Sequence, residues 1–137
     1  MKKIYSKYWK GSKKPRKQRK YLVHSSLKDK RRFISAHLSK ELQKKYGKRS
    51  LAVKKDDEVV ILRGQFKKVK GKVVKVFLRK SRIYIESAHL IKRDGSKVYY
   101  PIHPSNVMIS ALNLDDRERI KIFDRVKNVT SQTTGSS

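Results

Sequence analysis

Apolar residues recur at two different spacings along the chain, and the change between them divides it. From Leu27 to Tyr46, the residues Leu27, Phe33, Ile34, Leu38, Leu42 and Tyr46 fall roughly three or four apart, the spacing of one helix face. Ser26 and Ser39 are candidate N-caps and Gly47 a C-terminal stop, so this segment predicts one helix, or two short ones, with a basic outer face. After Leu51 the period shifts towards two, which predicts strands at 58–62, 71–79, 82–88, 97–101 and 106–110. Five short strands suggest a small barrel. In Arg82-Ile83-Tyr84-Ile85-Glu86 the isoleucines point one way and the polar edges the other. Asp94-Gly95 is a hairpin turn signal, while Pro101 and Pro104 limit how far the fourth strand can pair.

Outside these segments the pattern weakens. Residues 1–23 mix Lys and Arg with Tyr5, Tyr8, Trp9 and Tyr21, and Gly11 and Pro15 interrupt any period, which predicts a basic extended tail. Asp115 or Asp116 can cap a final helix through Ile122 or Phe123, and residues 128–137 resemble a disordered Ser/Thr/Gly tail. The expected organisation is a tail over 1–23, a basic helical extension over 24–50, a β domain over 51–112, a helix over 113–127 and the terminal tail.

Charge changes the picture most. The 137 residues carry 38 Lys plus Arg against 11 Asp plus Glu, a formal net charge of +27 that points to a polyanion partner. Residues 1–50 hold a net +17, residues 51–110 a net +9 and the remainder +1. Self-repulsion of that size opposes compaction of the amino-terminal arm unless phosphates neutralise it. Cysteine is absent, which excludes disulfides and thiolate chemistry and fits an intracellular home. The basic start lacks an apolar stretch of signal-peptide length, and no segment reaches the roughly 20 apolar residues of a membrane span, so a soluble protein that is not exported is expected.

The segment Asp56 to Val76 concentrates the chemistry. Two apolar strand segments flank a loop carrying Arg63, Lys67, Lys68, Lys70 and Lys72, and Gly64 and Gly71 supply left-handed or tight backbone. The charge excess is global and interleaved with aromatics, which favours nucleic acid over a merely solvated face. Tyr5, Tyr8, Trp9 and Tyr21 have no apolar neighbours in sequence, and serve either to stack on bases or to pack against a neighbouring protein. Tyr84, Tyr99 and Tyr100 fall in strand candidates and read as partly core.

Catalytic patterns are weak. Six residues separate Gly64 from Gly71 where a P-loop needs four, and Val73 stands where that motif holds Ser or Thr. His24, His37, His89 and His103 share no metal-ligand spacing, so neither metal nor cofactor is expected. Asp56, Asp57 and Glu58 alternate across a strand and read as a strand entry, pairing at the surface with Lys54 or Lys55.

The stretch Lys55 to Gly64, followed by Lys70-Gly71-Lys72-Val73-Val74-Lys75-Val76, resembles a KOW motif. Its flanks, Leu38 to Val60 and Tyr99 to Arg119, resemble the KOW-domain protein of the large ribosomal subunit, number twenty-four in bacterial naming and twenty-six in eukaryotic naming. The likeness covers about residues 13–126, and Lys14-Pro15-Arg16-Lys17-Gln18-Arg19-Lys20 leans towards archaeal members. It implies a mainly β fold, an SH3-like five-stranded barrel with a basic, partly helical N-terminal extension and a short C-terminal helix. It also implies binding to large-subunit rRNA near its 5′ end, a role in early assembly and a place near the peptide exit tunnel outlet, with no catalysis. Family members often carry Gly where this chain has Lys68, so either the loop turns differently or the lysine accepts strain.

The expected rRNA contacts are Lys13, Lys14, Arg16, Lys17, Arg19, Lys20 and Tyr21 in the arm, and Arg31, Arg32 and Arg49 in the helical extension. They continue with Arg63, Gly64, Lys67, Lys68, Lys70, Gly71 and Lys72 in the KOW segment, Arg79, Lys80 and Arg82 beyond it, and His103 and Ser105 from the family's His-Pro-Ser turn. Partners are rRNA and neighbouring ribosomal proteins, with no membrane, small-molecule substrate or homo-oligomer. The expected home is the cytoplasmic ribosome, with nucleolar assembly for a eukaryotic source. The alternative is a KOW-type transcription elongation factor, against which the lack of a preceding α/β domain counts.

Overall fold

Ser26 and Ser39 begin the helices their spacing suggests. In the computed structural model, which describes residues 5–6, 8–9 and 11–133 and side chains as far as Arg125, the Ser26 hydroxyl accepts the Asp29 N–H at 3.2 Å and donates to the Asp29 carboxylate at 2.7 Å. That closes the first turn of α2 (Leu27–Phe33), with α1 (Pro15–His24) just before it. Ser39 accepts the Leu42 N–H at 3.4 Å to open α3 (Lys40–Tyr46), and Gly47 at φ 62° closes it, its N–H reaching the Gln43 carbonyl at 2.9 Å.

Between α2 and α3 lies a strand, β1 (Ser35–Leu38), where the helical spacing predicts continuing helix. Ile34, Ala36 and Leu38 are buried at a spacing of two, and this short alternation wins because β1 finds partners on both sides. It runs antiparallel to β2 (Ser50–Ala52) and parallel to β8 (Val107–Ala111). The remaining strands are β3 (Glu58–Ile61), β4 (Lys70–Phe77), β5 (Arg82–Ile85), β6 (His89–Ile91) and β7 (Lys97–Tyr99). Helix α4 (Arg117–Thr133) follows.

The main sheet has the order β2-β1-β8-β3-β4-β5, and β6-β7 forms a separate hairpin. The five-stranded barrel expected from the sequence is not what forms. The outer strands β2 and β5 do not pair, so the six-stranded ladder stays open, and helices contribute at least as many residues as strands. The fold is mixed α/β rather than mainly β. Strand β4 bends at a bulge between Val73 and Lys75, pairing with β3 along its first half and with β5 along its second.

The core lies on the inner face of this sheet. Val59, Val73, Ile83, Ile85, Val107 and Ile109 are fully buried, each stabilising the fold by about 1.5–3 kcal/mol relative to exposure. Helix α4 covers one side, where Phe123 stacks on Tyr46 at 4.2 Å between ring centroids. Helix α1 stands where an extended tail is expected over 15–23: Pro15 at its first position presets φ. Likewise α4 runs past residue 127 to Thr133, and the last part of the expected disordered tail, 134–137, lies outside the described residues.

Asp57 corrects the reading of the acidic strand entry. Its carboxylate is fully buried and accepts from Arg119 Nη1 at 2.6 Å, Arg119 Nη2 at 2.7 Å, the Lys54 N–H at 2.8 Å and the Asn113 N–H at 3.0 Å. Lys54 instead gives its ammonium to Asp116, whose carboxyl lies below the usual range because of that lysine. A low dielectric and an absence of competing water make such a buried pair far costlier to break than the surface pair the sequence suggests. No helix among the described residues is long and apolar enough to cross a membrane.

Candidate nucleic-acid interface

The cationic loop between β3 and β4 is a tight turn whose shape is fixed mainly by backbone bonds. The Ile61 N–H donates to the Val69 carbonyl at 3.0 Å and the Lys68 N–H to the Ile61 carbonyl at 2.7 Å, closing the base. Within it the Lys67 N–H reaches the Gly64 carbonyl at 3.2 Å. Gly64 has φ 98°, a conformation glycine adopts freely. Lys68 has φ 70°, so the loop keeps the left-handed turn and the lysine accepts the strain. Arg63, Lys67 and Lys68 are therefore exposed on a preset backbone, while Lys70 and Lys72 extend from β4 itself.

Gly71 has a different job from Gly64. A Cβ there would lie 2.1 Å from Ser87 Oγ and 2.9 Å from Ile85 Cγ2, so the residue is required by close packing and not by positive φ. Ser87 uses the space to donate to the Lys70 carbonyl at 2.6 Å.

Two contacts tie the loop to the segment after β7. Phe66 packs on Tyr100 at 5.4 Å between ring centroids, and the Leu62 N–H donates to the Asn106 carbonyl at 2.7 Å. Asn106 ends the 3₁₀ turn Pro104–Asn106, preceded by His103, whose Nδ1 lies 2.8 Å from Ser105 Oγ and accepts the Ser105 N–H at 3.3 Å. Both His103 and Ser105 are exposed. Partial desolvation of the ring, and then the positive charge of Arg82, hold the His103 imidazole below its ordinary pKa. Arg82 thus sits beside the turn, joined to it also by the Ile83 and Ile102 backbone bridge.

Beyond Arg82 the cationic surface continues. Arg79 and Lys80 are exposed on the 3₁₀ turn Leu78–Lys80, and the Arg79 carbonyl accepts from Lys30 Nζ at 3.3 Å. Lys30 also donates to the Val23 carbonyl at 3.1 Å, in the last turn of α1, so this buried ammonium fastens both helices to the sheet. Around that joint Lys13, Lys14, Arg16, Lys17, Arg19 and Lys20 on and before α1, and Arg31 and Arg32 on α2, are exposed. Arg49 stands apart, just before β2 at the other end of the strand order.

Tyr21 is not a free ring. It stacks with Trp9 at 4.5 Å and with Tyr5 at 5.0 Å and meets Phe33 edge-on at 6.3 Å. The arm's aromatics therefore make a small cluster of their own, with Tyr8 alone strongly exposed among them. The hydroxyls of Tyr5 and Tyr21 lie 3.3 Å apart, and that hydrogen bond raises the Tyr5 phenol pKa. Tyr84 is half-buried, while Tyr99 and Tyr100 are exposed rather than core.

Residues 12–126 match the family described as the ribosomal proteins called L26 in eukaryotes, together with their archaeal counterparts numbered twenty-four. The chain belongs to this family. The match begins within one residue of the likeness read from the KOW segment and its flanks, and takes in α1, strands β1 to β8 and the first turns of α4. Membership makes this a ribosomal protein of the large subunit, acting in translation on the cytoplasmic ribosome, in a family that is generally non-enzymatic. Its partners are accordingly rRNA and other ribosomal proteins.

Sequence reasoning missed what assembles these segments. Lys30 looks like one more solvated cation, and its only signal is its place after a serine-capped turn, among apolar Leu27 and Phe33. Phe66 within a basic loop is the better clue, since a large ring there needs a cover, which Tyr100 supplies.

Proposed function

We infer that this chain is a structural rRNA-binding protein whose loop at residues 63–69, His103–Asn106 turn, 3₁₀ turn and α1–α2 arm form one run of phosphate contacts. The observation that carries this is the physical linkage of the segments through backbone and side-chain hydrogen bonds, from Leu62 to Asn106, from Ile102 to Ile83 beside Arg82, and from Lys30 to Arg79. Scattered cations would each meet phosphates singly. Cations held on connected backbone instead register against a fixed phosphate spacing, the part of recognition that positions a protein on RNA.

Helix α1 supports the same reading. Arg16 and Lys17 lie in its first turn with no acidic residue, against the positive end of the helix dipole. External anions relieve that repulsion, so the arm is stabilised by the partner it binds. In this reading the sheet docks as a preformed unit near the 5′ end of large-subunit rRNA, supports early assembly and lies near the outlet of the peptide exit tunnel. In a eukaryotic source that assembly occurs in the nucleolus.

Sucrose-gradient sedimentation of a lysate, with immunodetection before and after a high-salt wash, tests it. Retention in the large-subunit peak through the wash is the expected result. Release to the top of the gradient, or co-migration with RNA polymerase, contradicts it.

A further inference from the structure

We propose that the groove between β2, β4 and α4 takes an extended, acid-rich segment of a partner protein, which adds as a strand to the open edge of β4. The groove encloses about 870 Å³, and Val74, Val76, Leu78 and Ile122 line it while only half-buried. Among the described residues no aromatic ring lines it, so bases find no stacking platform there and an apolar floor offers phosphates nothing.

The strand edge follows from hydrogen-bond alternation. Val73 bonds towards β3, its N–H to the Asp57 carbonyl and its C=O to the Asp56 N–H, both at 2.9 Å, and β3 pairing ends there. On the other side, Ile83 directs its N–H and C=O to Ile102, both at 2.9 Å, and so away from β4. Val76 lies opposite Ile83, and in an antiparallel ladder the two members of such a pair both face outward. The N–H and C=O of Val76 are therefore turned to the groove, where an added strand would bond them and place alternate side chains on the apolar floor.

Charge selects the occupant. Arg31, Lys55, Lys75 and Arg125 ring the groove, and among the described residues no ion pair engages them. The rim acids Asp116 and Glu118 are already paired, with Lys54 and Lys121. The chain's own basic arm is repelled by this rim, and a second copy carrying +27 is repelled as a whole. A segment alternating apolar and acidic residues satisfies edge, floor and rim together. The inference stands independently of RNA binding by the loop.

The test uses the ¹⁵N-labelled full chain and a capped peptide of about eight residues alternating Val and Glu. A polyglutamate of equal charge and a Val/Lys peptide serve as controls. Expected are saturable shifts centred on the amides of Lys75 and Val76 with slowed exchange at Val76, and binding weakened about tenfold or more by Lys55→Glu with Lys75→Glu, both at exposed positions. Shifts that polyglutamate reproduces, shifts confined to residues 63–72, or concentration-dependent shifts without peptide would each overturn the proposal.

Discussion

Arg119 grips both carboxylate oxygens of Asp57, at 2.6 and 2.7 Å, across 62 residues of sequence and with both side chains almost wholly buried. Asp57 further holds the Lys54 and Asn113 N–H groups, and Arg119 the Asn113 and Ala52 carbonyls at 2.8 and 3.3 Å. One ion pair thereby joins β2, the entry to β3, the exit of β8 and α4. Removing one partner leaves a buried charge without compensation. Asp57→Asn or Arg119→Met is expected to destabilise by about 3–5 kcal/mol in urea unfolding, and the double mutant by less than the sum of the two.

Lys68 separates stability from binding. A non-glycine residue at φ 70° carries about 1–2 kcal/mol of strain, and glycine's greater unfolded-state freedom offsets about 0.5–1 of that. Lys68→Gly should therefore be equally stable or up to about 1.5 kcal/mol more stable, yet bind rRNA more weakly and with a shallower salt dependence. Thermal unfolding and a salt titration on the same variant check both halves.

Gly71→Ala should do the reverse. The added methyl meets the side chains of Ser87 and Ile85, an overpacking that costs about 1–3 kcal/mol without removing any cation. Adding Ser87→Gly, which clears the 2.1 Å contact, should recover part of the loss.

His103 supplies a pH signature. Its pKa is depressed in the folded protein, by partial desolvation and then by Arg82, so the folded state binds fewer protons than the unfolded one. Its contribution to stability is present above the ordinary value of 6.5 and is lost as pH falls through the depressed folded value. Its ring resonances should titrate with a midpoint below 6.5 in the free protein and shift upward when RNA phosphates approach; an unmoved midpoint would remove His103 from the interface.

The helix caps, the strands around Ile83 and Ile85 and the Asp94-Gly95 turn were legible because each rests on residues within a few positions. Gly95 has φ 79°, and Asp94 accepts the Ser96 N–H at 2.9 Å as such a turn requires. The strand β1 was hidden because Ile34 and Leu38 also fit a helical spacing, and only pairing with β2 on one side and with β8, far along the chain, on the other decides between them. Barrel closure failed for a related reason: strand count does not reveal which edges meet. The loop's cations were legible from charge alone, whereas their joining to His103, Arg82 and the arm depends on Lys30, Leu62 and Asn106, whose roles appear only through distant backbone groups.

The most direct test of the central claim is the salt dependence of binding to a 5′ fragment of large-subunit rRNA, compared between the natural chain and Lys67→Gln with Lys70→Gln and Lys72→Gln. If the loop contacts phosphates, the log–log slope should become shallower by about 2–3, since each lost contact removes about 0.7–0.9. Weaker binding at an unchanged slope, or no change at all, would contradict the account.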